Sequence, residues 1–81
     1  MAGGYTLSIM IDPGELGSAI KQLRERSRLS PTQVARRANV STVFIYKVEA
    51  GERMPSWETL GRVAEALGVA VRISLVPTRR R

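Results

Sequence analysis

Cysteine and histidine are both absent from this 81-residue sequence. Without cysteine there is no disulfide and no thiolate metal site. Without histidine the commonest general base and the commonest metal ligand are missing, and zinc would have only carboxylates left. No metal and no cofactor are expected. Apolar runs are short: none approaches the roughly 20 residues that cross a bilayer. The N-terminus has no basic stretch leading into an apolar core, so no signal peptide is expected and the cytoplasm is the expected compartment. A glycine-rich phosphate loop and an inward-facing carboxylate pair are also missing, which argues against an enzyme.

Negative charge is scarce as well. Thirteen Lys and Arg stand against seven Asp and Glu, a net charge of +6 and a pI near 11.1. Every cation except Lys21 and Lys47 is an arginine, whose planar fork suits phosphates and guanine edges. A small domain this basic is expected to meet a polyanion. Its length predicts one domain, 1–81, near the lower limit for an independent core. A second subunit would therefore help to stabilise it.

The order of elements can be read from periodicity and from capping residues. Tyr5, Leu7, Ile9 and Ile11 alternate with Thr6, Ser8 and Met10, which predicts a strand over 5–11 after a flexible 1–4. Asp12-Pro13 opens a first helix to about Arg28, with Leu16, Ile20 and Leu23 on one stripe. Ser30-Pro31 opens a short second helix to Ala38, burying Val34, Ala35 and Ala38. Asn39 sits at the turn, where a left-handed backbone suits it, and Val40 follows as a buried plug. Ser41 caps a third helix from Thr42 to about Ala50, with Ile45 and Val48 inward and Gly51 at its end. Ser56 caps a fourth, where Trp57, Leu60, Ala64 and Leu67 fall at helical spacing and Gly68 closes it. Val69, Val71, Ile73 and Leu75 alternate again, predicting a strand over 69–76 before a flexible basic tail, 78–81.

Four motifs together carry a family resemblance: Leu-Ser-Pro-Thr-Gln-Val-Ala (29–35), Asn-Val-Ser (39–41), Ile-Tyr-Lys-Val-Glu-Ala-Gly (45–51) and Pro-Ser-Trp-Glu-Thr-Leu with Ala-Leu-Gly-Val (within 55–69). The chain resembles the Xre/Cro-type helix-turn-helix family of phage repressors and bacterial regulators over about 16–69. The resemblance implies a mainly α fold, a four-to-five-helix repressor-like domain, here with short terminal strands. It implies double-stranded DNA as the partner, with helix 42–50 reading the major groove and the chain associated with the nucleoid. Thr42, Val43, Tyr46 and Lys47 match the base-facing positions. Their chemistry fits: a hydroxyl and a methyl, a thymine-methyl contact, a phenol, and an ammonium that reaches guanine. Ser30, Thr32, Gln33, Ser41, Phe44, Arg36, Arg37 and Arg53 are the expected backbone contacts. The family usually carries Gln directly after the first motif cap. Pro31 stands there instead, so Thr32 and the free N–H groups of that helix start must substitute. The resemblance also pairs Glu49 with Arg24, and a carboxylate at a helix C-terminus independently calls for a nearby cation.

The two strands are unusual for this family. An isolated hairpin is marginal, and exposed strand edges invite pairing. The strand at 69–76, with Val69, Val71, Ile73 and Leu75 at a dimer interface, is expected to pair across a two-fold axis. The alternative is pairing with 5–11 of the same or the other chain. A strand after the fourth helix is similar to the antitoxin branch of the family. Repression of an operator as a homodimer is the leading expectation. The alternative is an antitoxin that binds a toxin protein and autoregulates its operon.

Overall fold

The protein is described here by a computed structural model over residues 12–72. The expected strand at 5–11, the segments 1–4 and 78–81, and the second half of the expected strand at 69–76 lie outside the described residues. Four helices run in order: α1 (Pro13–Arg26), α2 (Pro31–Ala38), α3 (Thr42–Glu49) and α4 (Trp57–Ala66). No strand occurs among the described residues, and residues 69–72 carry no sheet pairing.

The helices are short, and both of their ends are chemically closed. Each opens on a side-chain cap. Asp12 Oδ2 accepts from the Glu15 N–H at 3.2 Å, Ser30 Oγ from Gln33 at 3.1 Å, Ser41 Oγ from Phe44 at 3.0 Å and Ser56 Oγ from Thr59 at 3.1 Å. Such caps satisfy amide donors that have no partner within the helix. Each helix is followed by a left-handed residue: Arg28 (φ 59°), Asn39 (φ 60°), Gly51 (φ 78°) and Gly68 (φ 75°). The next N–H then reaches back across the last turn, from Leu29 to the Arg24 carbonyl, Val40 to Ala35, Glu52 to Lys47 and Val69 to Ala64, at 2.9–3.1 Å. This closure satisfies the last carbonyls and reverses the chain. It also stops α1 two residues before the expected Arg28, because Arg28 itself takes the left-handed conformation.

The core gathers Ile20 from α1, Val34, Ala35 and Ala38 from α2, Ile45 and Val48 from α3, and Leu60, Val63 and Leu67 from α4 and its C-cap. α2 packs on both α3 and α4, and α1 packs on α3. Val40 is half-buried against this cluster rather than fully enclosed. Trp57 departs further from expectation, since it is 60% exposed. As the first helical residue after Ser56 it stands beyond the end of the apolar stripe that Leu60 begins. Across α4, the Arg62 Nε donates to the Ala38 carbonyl at 3.0 Å, which ties α4 to the end of α2.

Gly17 sets the distance between α1 and α3. A Cβ at this position would overlap the Val48 carbonyl oxygen and stand 2.8 Å from that of Glu49. Gly61, on the exposed side of α4, has open space around its missing Cβ. The two glycines are therefore expected to respond oppositely to alanine. Gly61→Ala should stabilise by about 0.5–1 kcal/mol through helix propensity. Gly17→Ala should destabilise by about 1–3 kcal/mol because backbone must move. Urea unfolding of the two variants checks both signs.

Candidate nucleic-acid interface

At about 100° per residue, the two buried positions of α3, Ile45 and Val48, leave Val43 at the centre of the opposite face. Tyr46 and Lys47 flank it, and Thr42 and Phe44 form the two margins. The structure agrees. Val43 is 60% and Tyr46 56% exposed, Lys47 is exposed, and Thr42 and Phe44 are half-buried. The four residues expected to read bases thus share one outward surface, with Thr42 at its edge.

Both margins are anchored. Thr42 Oγ1 donates to Thr32 Oγ1 at 3.4 Å, a long bond that joins the starts of α3 and α2. On the other side the Arg53 guanidinium lies over the Phe44 ring, 5.4 Å from its centroid. On α2 the same wheel logic puts Thr32, Gln33, Arg36 and Arg37 opposite Val34, Ala35 and Ala38, and all four are exposed. Ser30 and Ser41 are exposed too, and both are occupied as caps. Gln33 has a local task that the sequence reading assigned only to DNA. Its Oε1 accepts from the Ser30 N–H at 2.8 Å, which completes a reciprocal capping box. Its amide N–H₂ keeps its capacity to donate.

Charge is distributed unevenly over the helices. Residues 31–48 include Arg36, Arg37 and Lys47 and no carboxylate. The first turns of α2 and α3 carry no acid, whereas α1 has Glu15 and α4 has Glu58 there. The positive dipole ends of α2 and α3 are therefore left uncompensated by side chains, as suits a neighbouring anion.

The far end of α3 is held by Arg24. Its Nε and Nη2 donate to the two Glu49 carboxylate oxygens at 2.5 and 3.0 Å, and Nη1 donates to the Leu29 carbonyl at 3.0 Å. The side chains are only 11% and 7% exposed. The hydrogen bond to Glu49 raises the Arg24 pKa, against the opposing effect of burial. A raised cation pKa adds stability that is lost only as pH climbs through the folded value, beyond the working range, so Arg24 stays charged throughout. The position of Gly17 on the same helix face, beneath α3, escaped the sequence reading. The available signal was a glycine inside an amphipathic helix, which normally costs about 1 kcal/mol against alanine and so asks for a packing reason.

Removing either partner of the Arg24–Glu49 pair should strand a buried charge and cost about 3–5 kcal/mol. The double variant Arg24→Met with Glu49→Leu should cost clearly less than the sum of the single changes. Denaturant unfolding of the three variants measures the coupling; additive losses would deny that the two side chains act as a unit.

Comparison with known proteins agrees with this geometry. The family model described as a helix-turn-helix domain matches residues 15–72. An uncharacterised HTH-type transcriptional regulator of Mycobacterium tuberculosis is 38% identical over 60 residues, which is 74% of this chain and 43% of the relative. The immunity repressor protein of Bacillus phage phi105 is 38% identical over 56 residues, 69% of this chain and 39% of the relative. The chain thus spans less than half the length of both relatives. The crystal structure of the restriction-modification controller protein C.AhdI from Aeromonas hydrophila superposes with a TM-score of 0.70 at 26% identity, covering 72% of this chain and 88% of the other. With most of its length matched, and with the caps, the turn and the outward third helix in place, this chain belongs to the helix-turn-helix domain family.

Proposed function

We propose that this chain binds double-stranded DNA in a sequence-specific manner as a homodimer and acts as a transcriptional repressor, with α3 in the major groove. The observation that carries this reading is the outward face of α3. Val43, Tyr46 and Lys47 are exposed together, while Ile45 and Val48 fix the helix from behind. Large side chains on the open face of a short helix need a partner. A thymine methyl suits Val43, a guanine edge suits Lys47, and Thr42 and Tyr46 supply hydroxyls. Ser30, Thr32, Gln33, Ser41, Arg36, Arg37 and Arg53 would meet phosphates around them, helped by the unshielded starts of α2 and α3. Regulation is what the matched relatives are named for: transcriptional regulator, immunity repressor and controller protein. Those names favour repression over the antitoxin alternative.

A dimer follows from the limits of one helix, which reads only a few base pairs. Two copies on half-sites about 34 Å apart give usable specificity. For the interface we favour Val69, Val71, Ile73 and Leu75. In support, an apolar groove of about 530 Å³ runs between α1 and α4, lined in part by Leu16, Leu23, Leu67, Val69 and Val71. Among the described residues no helix is long and apolar enough to cross a membrane.

Selection of bound duplexes from a random pool should return a two-fold symmetric site. Lys47→Ala should then weaken binding to that site by about 1–3 kcal/mol and relax preference at one position. Equal losses on selected and random DNA would remove Lys47 from base reading. Ile73→Asp should halve the mass seen by light scattering, and an unchanged mass would rule out this interface.

A further inference from the structure

Phe44, one of the residues expected at the DNA backbone, has a second neighbour that bears on how it would act there. It sits at a margin of α3, half-buried and packed against the core, so its ring is gripped from one side. The Arg53 guanidinium lies over that ring, 5.4 Å from the centroid. Arg53 is exposed, in the stretch between Gly51 and Ser56 that links α3 to α4. The ion pairs among the described residues are Arg24–Glu49 and Arg62–Glu58, so the ring, not a carboxylate, is what Arg53 rests on. The backbone reverses just before it, through Gly51 and the Glu52 N–H bonded to the Lys47 carbonyl at 2.9 Å. That closure returns the chain beside α3 and brings Arg53 to the Phe44 margin.

We propose that Phe44 is a positioning residue, which holds the Arg53 guanidinium over its ring so that the guanidinium N–H groups clamp one DNA phosphate beside α3. This rests on the DNA-binding reading above. A cation–π contact engages the charge of the guanidinium and takes up none of its N–H groups, which stay free to donate. A phosphate takes two such bonds in parallel. A long arginine side chain loses rotamer freedom when it binds, and a ring already fixed by the core restricts it in advance. Without the ring, Arg53 would keep its charge and lose its aim. The contact is to backbone, so its effect is the same on every sequence.

The test uses the full chain and a short random-sequence duplex, with affinity read by fluorescence anisotropy over a range of salt. Arg53→Ala should weaken binding and reduce the salt slope by about 1. Phe44→Leu should weaken binding about two- to fivefold, and Phe44→Tyr, which keeps the ring, should restore most of it. In the Arg53→Ala background, Phe44→Leu should have no further effect on affinity. Thermal melts of the same variants separate any loss of packing from this coupling. An equal loss from Phe44→Leu with and without Arg53 would overturn the proposal, as would a salt slope unchanged by Arg53→Ala. A wild-type chain that bound no duplex at low salt would overturn the DNA reading, and the clamp with it.

Discussion

The junction between α1 and the far end of α3 decides where the outward face of α3 points. Two features make it. Gly17 allows the helices to approach until its Cα lies under the Val48 and Glu49 carbonyls. Arg24, two turns along the same face of α1, closes a fork on Glu49 and bonds the Leu29 carbonyl in the α1–α2 connection. A buried ion pair contributes little net stability compared with a well-packed apolar pair, because desolvation offsets most of the attraction. What it supplies is direction. A bidentate arginine fork tolerates little rotation, whereas leucine against methionine at the same place would tolerate several arrangements. The orientation of α3, and with it the geometry of Val43, Tyr46 and Lys47, is thus set from α1.

Such control is needed because α2 and α3 are too short to hold themselves. Each has eight residues, and isolated helices below about 12–15 residues are marginal in water. Capping at both ends and burial of one face make up the deficit. The turn between them shows how tightly these contributions overlap. Asn39 takes the left-handed conformation, the Val40 N–H closes α2 on the Ala35 carbonyl, and Ser41 at once caps α3. Three consecutive residues end one helix, turn the chain and start the next. An inserted residue here would separate the Thr32 and Thr42 hydroxyls and shift α3 relative to α2.

Much of this was legible in the sequence, and the reasons are local. Serine before a helix start, Asn39 at a tight turn and glycine after a helix each have a backbone cause that one position can reveal. Ile45 and Val48 could be identified as the inward face from spacing alone, which by subtraction left Val43, Tyr46 and Lys47 outside. What escaped depended on partners distant in sequence. Gly17 matters only because α3 passes over it. The half-burial of Phe44 depends on how the core meets the α3 margin. Arg28 in a left-handed conformation carries no residue signal, since tertiary closure of the α1 end overrides its preference. Trp57 misled for the opposite reason: its spacing fits the apolar stripe, but the buried part of that stripe starts only one turn later, at Leu60.

The placement of acids gives the surface its sense. The net charge is +6, yet it is not spread evenly. Carboxylates occupy the first turns of α1 and α4, where they offset the helix dipoles. The first turns of α2 and α3 have none, and the one acid in α3, Glu49, is consumed by Arg24. The positive ends of the two motif helices, joined through Thr32 and Thr42, and the cations Arg36, Arg37 and Lys47 therefore lie in a stretch, 31–48, that carries no carboxylate. A polyanion near this side would meet these cations and helix starts without a neighbouring acid from α2 or the first turn of α3. On the proposed DNA reading, this charge would orient the duplex before any base is read, and the apolar and hydroxyl groups of α3 would discriminate after docking.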